Sequence, residues 1–169
     1  MSVMTRMIPA AVLSAMLAAT ALYGAPASAA DLIRHATGKF PIASAIEVPP
    51  GYTTIYLSGM GAEISDKNAK PMTMAAYGDT ETQVKSALGK IQASLAELHL
   101  TFADVVQMHI YMVADPKLGK LDFAGMMKSY TQFFGTTAQP NLPTRSAFQV
   151  AALANPGWLV EIEVTAVRK

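Results

Sequence analysis

One segment of this chain has a pattern that strongly predicts an amphipathic helix, and this helix constrains the rest of the fold. Between residues 84 and 98, large aliphatic residues recur at spacings of four, three, four and three, at Val84, Leu88, Ile91, Leu95 and Leu98. This spacing places them on one helical face. Asp79 or Thr80 is the expected N-cap, with Gln83 in capping-box position after Thr80. Because an aliphatic stripe of this length is unfavourable in water, another layer of the protein must cover it.

Five further segments have strand patterns, at residues 42–48, 55–57, 105–113, 145–153 and 159–168. The last two flank Asn155-Pro156-Gly157, which favours a chain reversal, so they are predicted to form a hairpin. The segment 42–48 is expected to pair with 55–57, and 105–113 to be a central strand. A second amphipathic helix is predicted from Phe123 to Phe134, with Gly135 as C-cap. This order indicates an α+β fold with two helices on one face of a mostly antiparallel sheet.

Residues 1–29 have the layout of a secretory signal peptide. Arg6 ends a short positive start, an apolar run follows, and Ala27-Ser28-Ala29 provides the small residues of a cleavage site. A membrane anchor is the alternative, because the run approaches the ~20 residues that span a bilayer. Proline and glycine near both ends of the run disfavour it. We expect cleavage before Ala30, a periplasmic or secreted bacterial location without membrane attachment, and one domain in residues 30–169.

Composition narrows the chemistry that the domain can perform. The 169 residues carry 13 Lys and Arg against 12 Asp and Glu, so nucleic acid is not an expected partner. The chain has no cysteine, which excludes disulfides, thiolate nucleophiles and cysteine metal sites. His35, His99 and His109 lack metal-ligand spacing and are interpreted as structural. Chemistry must therefore come from oxygen and nitrogen groups.

The last two strands carry the charged residues of greatest interest. Side chains two apart in a strand share a face, so Glu161 and Glu163 are predicted to point away from the helices together. In the preceding strand, Phe148 and Val150 are expected to face the helices, which would place Arg145 on the carboxylates' face. If the hairpin turns at residues 155–157, Arg145 and Glu161 lie ~20 Å apart along it. A shared site would need another subunit or a curved sheet.

The face away from the helices is also predicted to be apolar. Its aliphatic and aromatic candidates are Val105, Tyr111, Val113, Leu159 and Val167. A large apolar patch is usually covered by another subunit. A closed oligomer would then leave Arg145 and the two glutamates in clefts between subunits.

Each candidate residue has a structural alternative. Arg145, at the start of a strand, is suited to bidentate binding of a small carboxylate, or to a salt bridge with Glu161 or Glu163. Glu161 is a candidate general acid/base acting through water, or one member of that ion pair. Ser58 and Gly59 end a strand where a hydroxyl and a backbone N–H can bind a ligand, or they form only a turn.

Five stretches of the sequence resemble the Rid (YjgF) family of reactive intermediate deaminases: IYLSG at 55–59, residues 83–98 with the following Asp104-Val105-Val106, YTQFFG at 130–135, PTRSAFQVAAL at 143–153 and VEIEVTAV at 160–167. The resemblance implies a chorismate-mutase-like α+β fold and a homotrimer with clefts between subunits. It further implies hydrolysis of enamine or imine intermediates, such as 2-aminoacrylate, to 2-keto acids and ammonia. This is the activity of a 2-iminobutanoate/2-iminopropanoate deaminase, and it uses no metal or organic cofactor.

By position, the resemblance implies that Arg145 holds the substrate carboxylate, that Glu161 positions or activates water, and that Ser58 and Gly59 are a binding pair. Three other binding positions depart from the usual family residues, with Ile42 replacing tyrosine, Met127 replacing asparagine and Ala147 replacing cysteine. These changes make the cleft more apolar, which favours bulkier substrates and weaker catalysis. A non-catalytic exported protein that binds small carboxylates or hydrophobic ligands is the alternative function, followed by a chaperone-like or ribonuclease role.

Overall fold

The computed structural model describes residues 31–169. Its elements, in chain order, are β1 (Ile33–Ala36), β2 (Ala43–Glu47), β3 (Thr53–Gly61), α1 (Met74–Tyr77), α2 (Thr80–Glu97), a 3-10 turn (Phe102–Asp104), β4 (Val105–Met112), α3 (Phe123–Phe133), β5 (Thr144–Gln149) and β6 (Val160–Arg168). The predicted signal peptide and its cleavage site lie outside the described residues. Within residues 31–169, no helix has the length and apolar character needed to cross a bilayer.

The main sheet has four strands in the order β3-β6-β4-β5, while β1 and β2 form a separate antiparallel pair. β6 is antiparallel to both of its neighbours, and β5 is parallel to β4. Both long helices contribute side chains to the core that covers one face of this sheet. The predicted α+β architecture, with two helices on one face of a mostly antiparallel sheet, is confirmed.

The aliphatic stripe of α2 forms the centre of this core. Val84, Leu88 and Ile91 are fully buried, together with Leu95. Leu98 is 39% exposed, because the helix has ended and the chain is turning away at this residue. Met126 and Tyr130 of α3 fill the same layer, together with the C-cap residue Phe134. Gly135 follows the C-cap with a φ of 74°, the left-handed conformation that glycine adopts after a helix.

The start of α2 resolves the choice of N-cap and gives Gln83 a different role. The Asp79 carboxylate accepts a hydrogen bond from the Thr82 N–H at 2.9 Å, so Asp79 is the N-cap. Gln83 is completely buried, and its side chain donates to the Gly157 carbonyl and accepts from the Leu159 N–H. The predicted capping box is therefore wrong. Gln83 instead links the helix to the segment that enters β6.

The predicted hairpin between the last two strands does not form. β6 lies between β3 and β4, and β5 lies at the edge of the sheet. Burial explains the arrangement, because five residues of β6 are buried and none of β5 is. A strand with so many buried residues requires a neighbour on each side. Similarly, β2 pairs with β1 rather than with β3, so the predicted pairing of 42–48 with 55–57 is wrong.

Arg34 of β1 attaches the small N-terminal sheet to the main body. Its guanidinium donates to the backbone carbonyls of Ala103, Val105 and Leu142 at 2.8, 3.0 and 2.7 Å. Burial lowers the pKa of Arg34, and attraction to Asp104 opposes that shift. Arginine nevertheless stays protonated in proteins, so the three charge-assisted hydrogen bonds persist at any pH of interest.

Replacing Arg34 with alanine is expected to lower the free energy of unfolding by about 2 kcal/mol, because three partly buried carbonyls lose their donor. Urea unfolding at fixed protein concentration measures the effect. His35→Ala is the matched control, since the neighbouring His35 is exposed and pairs with Glu47 alone, and it should change stability by less than about 1 kcal/mol. Equal unfolding midpoints for the two variants would show that Arg34 does not attach the small sheet.

Candidate functional site

The side chains of β5 that face the helices are not the ones that were predicted to face them. Arg145 lies opposite Met108 in the parallel pairing with β4, and Met108 is fully buried in the helix-side core. Phe148 points to the other face, where its ring stacks on Tyr111 with centroids 5.9 Å apart. The prediction that Phe148 and Val150 face the helices while Arg145 shares the carboxylates' face is wrong. A shift of one residue in strand phase exchanges the two faces, and pairing with β4 sets this phase.

The Arg145 guanidinium is surrounded by aromatic rings and sulfur. Its Cζ lies 4.3 Å from the ring centroid of Tyr130, 5.4 Å from that of Phe40 and 5.7 Å from that of Phe123. Its Nη1 donates to Met127 Sδ at 3.2 Å. None of the ion pairs found in residues 31–169 involves Arg145. Within the described chain, the predicted salt bridge to Glu161 or Glu163 is therefore not formed.

Tyr130 supports the guanidinium without neutralising it. Burial raises the pKa of Tyr130 to about 12, and its hydroxyl donates to the Pro41 carbonyl at 2.8 Å, so the ring is neutral near pH 7. Burial also lowers the pKa of Arg145, with Tyr130 opposing that shift. The result is a half-buried positive charge whose nearest neighbours are uncharged. Such a group gains more from binding an anion than a fully hydrated one does.

Three of the residues predicted to bind substrate lie on the same side of the sheet as this guanidinium. Met127 contacts it directly. Ala147 follows two residues later on the same strand face, and both Ala147 and Ile42 pack against the core. Ile42 and Arg145 also line a cavity of about 350 Å³ beside β5. The structure thus brings Arg145, Met127, Ala147 and Ile42 into one region, where aromatic rings and methionine sulfur contact the guanidinium and polar residues such as Thr37 and Ser44 line the adjoining cavity.

The other predicted residues form a second group on β3 and β6. The pairing of these strands is irregular between Leu57 and Met60, so Ser58 and Gly59 lie in a bulge within β3 and not at its end. Gly59 faces Glu161 so closely that a side-chain carbon added at the glycine would overlap the Glu161 carboxylate. The carboxylate therefore occupies space that only glycine leaves open. No hydrogen bond or ion pair to this carboxylate is found within residues 31–169.

The two groups are too far apart to act together within one chain. Arg145 aligns across the sheet with Met108 and then Val164, whereas Glu161 lies three residues further along β6. At ~3.3 Å per residue and ~4.8 Å between strands, the two backbones are ~14 Å apart. In addition, Arg145 faces the helices and Glu161 faces away from them. A single copy cannot bring both groups to one small ligand.

A third cluster, which the sequence did not indicate, lies on the sheet face away from the helices. Glu163 Oε1 lies 2.7 Å from His109 Nδ1 and accepts a hydrogen bond from the Tyr111 hydroxyl at 2.9 Å. Both contacts lower the pKa of Glu163, and the contact with His109 has the larger effect. The partner of Glu163 is thus His109 and not Arg145. His109 and Tyr111 are two residues apart in β4, so the sequence places them on one face. It does not indicate that Glu163 lies beside them, because that requires knowing that β4 and β6 are neighbours.

This pairing predicts a pH effect on stability. A carboxyl group whose folded pKa is lowered stabilises the protein above its unfolded pKa of ~4.3, and that contribution is lost as the pH falls through the folded value. Glu163→Gln should therefore unfold at a lower temperature than the wild type near pH 7, and the difference should narrow toward about pH 3. Thermal unfolding at several pH values tests this, with the exposed Glu63→Gln as control. A difference that does not vary with pH would contradict the assignment.

The predicted apolar patch on this face is only partly present. Val105 and Leu159 belong to the core, and Val167 is only 2% exposed. The large exposed side chains on this face are instead aromatic, with Tyr56 at 80% and Phe148 at 44% exposure. Over residues 31–169, no three histidine or acidic side chains are close enough to form a metal site.

These features define a class of protein, in which two helices cover one face of a β3-β6-β4-β5 sheet and a charged residue lies on each side of it. A family model described as Endoribonuclease L-PSP matches residues 44–168. A RutC family protein from Haemophilus influenzae is 35% identical over 99 residues, which cover 59% of this chain and 72% of that protein. The chain belongs to the Rid (YjgF) family.

Two solved structures show the same fold. A Rid family protein from Yersinia pestis, described as of unknown function, matches with a TM-score of 0.58 and 25% identity, over 76% of this chain and 87% of that one. TdcF from E. coli, solved with bound serine, matches with a TM-score of 0.55 and 26% identity, over 80% and 94% of the two chains. The chorismate-mutase-like fold expected from the sequence is thus confirmed.

Gly59→Ala tests whether the space beside Glu161 matters for function. The added methyl group must displace the carboxylate, so we expect at least a tenfold loss of any Glu161-dependent activity with less than about 1 kcal/mol change in stability. Gly89→Ala is the matched control, because nothing lies within 4 Å of a side-chain carbon added there and alanine favours the helix by up to ~1 kcal/mol. Full activity in Gly59→Ala would show that the reaction does not depend on the position of the Glu161 carboxylate.

Proposed function

We propose that this protein hydrolyses reactive 2-imino acids and their enamine forms to 2-keto acids and ammonia. The observation that carries the proposal is the Arg145 guanidinium, held against Tyr130 and Met127 with no acidic partner in the described chain. A fixed guanidinium with free N–H groups is a strong site for a carboxylate. Membership of the Rid family and the serine bound to TdcF, an amino acid with a carboxylate group, support the same ligand class.

The reaction needs little beyond binding and proton transfer. With its carboxylate on Arg145, the substrate presents an electrophilic C=N carbon, and water adds to it while Glu161 accepts a proton from that water. That proton then goes to the nitrogen, which gives a carbinolamine with one hydroxyl and one amino group on the former imine carbon. The hydroxyl proton moves to the amino nitrogen as the C–N bond breaks, so NH3 leaves as the C=O bond forms. One imine and one water give one 2-keto acid and one ammonia. No oxidant or reductant is consumed.

We propose that the working site forms between copies of the chain, in a homotrimer. The separation of Arg145 and Glu161 by ~14 Å, on opposite faces of the sheet, supports this arrangement. A cleft at a subunit boundary can combine the arginine of one copy with the glutamate of another. Sedimentation equilibrium of the mature protein tests it, and a monomer at assay concentration would contradict it.

The activity is tested by ammonia release. An L-amino acid oxidase generates 2-imino acids in place, and ammonia or keto acid formation is followed with and without the protein. The proposal expects catalysed hydrolysis well above the spontaneous rate, in the absence of added metal or cofactor. Equal rates with and without the protein would overturn it.

Binding without turnover is the second candidate function. The apolar residues around Arg145, especially Met127 and Ile42, favour it because they provide no polar group to stabilise a developing charge. A protein of this kind would bind small carboxylates and release no ammonia. Cleavage of RNA that persists in Arg145→Ala after exhaustive purification would instead support the ribonuclease role.

We also propose that residues 1–29 are removed on export, so that the mature chain begins at Ala30 in the periplasm or medium. The arrangement of Arg6, the apolar run and Ala27-Ser28-Ala29 supports this. Intact-mass measurement of the protein from a periplasmic fraction tests it. A mass that includes residue 1 would favour the anchored alternative.

A further inference from the structure

The region around Arg145 contains exposed aromatic surface that the packing of the chain does not require. Phe40 and Phe123 remain 42% and 41% exposed, although both rings lie within 6 Å of the guanidinium carbon. Tyr130, the third ring, is completely buried. Two phenylalanines thus form an exposed apolar rim beside a charged group.

The contacts of the guanidinium limit how a carboxylate can approach it. One face is covered by the Tyr130 ring, and Nη1 is directed at the sulfur of Met127. Nε and Nη2 remain, and they form a fork that can bind both oxygens of a carboxylate. A carboxylate bound there brings its α-carbon substituent within reach of Phe40 and Phe123, whose ring centroids lie 5.4 and 5.7 Å from the guanidinium carbon.

Several side chains next to the guanidinium are apolar, although Thr37 and Ser44 also line the cavity that Arg145 borders. Met127, Ile42 and Ala147 are apolar, and the next residue on the same strand face, Gln149, uses its side-chain oxygen to accept the Leu121 N–H at 2.9 Å. A hydroxyl or charged substituent placed against the Phe40 and Phe123 rings would lose hydration and gain no hydrogen bond from them. An aromatic or large aliphatic substituent would gain contact with two rings.

We infer that the Arg145 site selects 2-imino acids with aromatic or large aliphatic side chains over those derived from alanine or serine. This inference rests on the proposed function only for the carboxylate contact with Arg145. The selecting elements are Phe40 and Phe123, to which neither the sequence pattern nor the family comparison assigns a role.

Binding of 2-keto acids tests the inference independently of turnover, because these compounds carry the carboxylate and side chain but cannot be deaminated. Isothermal titration calorimetry should give a Kd for phenylpyruvate at least about tenfold lower than for pyruvate, with 4-methyl-2-oxopentanoate between the two. Phe123→Ala and Phe40→Ala should each reduce the ratio to less than about threefold. Ile64→Ala, which removes an equally exposed aliphatic side chain on the loop after β3, should leave the ratio unchanged.

The outcomes distinguish this inference from the proposed function. Selective binding without ammonia release would support the selection of large side chains and overturn the deaminase. Ammonia release combined with equal affinities for phenylpyruvate and pyruvate would support the deaminase and overturn the selection. Loss of the preference in Ile64→Ala as well would overturn the assignment to Phe40 and Phe123.

Discussion

Arg145→Ala is expected to reduce kcat/KM for imine hydrolysis by about 100-fold or more without unfolding the protein. Two charge-assisted hydrogen bonds to the substrate carboxylate, at ~1.5–3 kcal/mol each, would be lost together. The fold should tolerate the change because Arg145 is on an edge strand and forms no ion pair within the described residues. Circular dichroism and urea unfolding verify that the variant is folded before its kinetics are measured.

Two further variants separate charge from geometry. Arg145→Lys keeps the positive charge but loses the fork, so its kcat/KM should lie between those of the wild type and Arg145→Ala. Arg168→Ala removes an exposed arginine at the end of β6 and should retain full activity. Similar losses in Arg145→Ala and Arg168→Ala would indicate a general electrostatic effect and no specific site.

The parts of the fold that were predictable from sequence are those fixed by local periodicity. The spacing of Val84, Leu88 and Ile91 needs no information from outside α2, because a 3.6-residue repeat identifies its own buried face. The faces of β6 followed in the same way, with Glu161 and Glu163 directed away from the helices. In both elements the burial pattern is strong enough to be read without knowing the neighbours.

The order of strands in the sheet was not predictable in that way. Asn155-Pro156-Gly157 is a strong turn signal, yet the chain after it passes β4 and places β6 between β4 and β3. The difference between β5 and β6 lies in burial on both sides of each strand, which depends on residues distant in sequence. β5 has only two apolar side chains, Ala147 and Phe148, and they lie on opposite faces, so its phase is set by β4 and not by its own pattern.

The same dependence on distant residues explains which site residues could be predicted and which could not. The family resemblance identified Arg145, Ile42, Met127 and Ala147 as members of one site, and the fold does bring them into one region. It gave no indication of Phe40 or Phe123, which approach the guanidinium from before β2 and from the start of α3. Contacts between residues so far apart along the chain depend on tertiary packing, and no spacing rule within a single element predicts them.

The strongest test of the proposed site uses two inactive variants together. Arg145→Ala and Glu161→Gln should each be nearly inactive alone, since one lacks the carboxylate contact and the other the proton acceptor. Suppose that every cleft takes its arginine from one copy and its glutamate from another. After random mixing at equal amounts, half of the clefts receive an intact arginine, and half of those also receive an intact glutamate. Subunit exchange or co-expression should then restore about a quarter of the wild-type activity.

The recovery has a specific structural meaning because the two residues lie on opposite faces of one sheet. The control is Arg145→Ala mixed with the double variant carrying both changes, which contains no intact arginine and should stay at background. Native mass spectrometry confirms that mixed assemblies have formed before the rates are compared. A mixture of the two single variants that remains at background despite subunit exchange would mean that Arg145 and Glu161 do not share a cleft between copies, and the proposed reaction would lose its water-activating group.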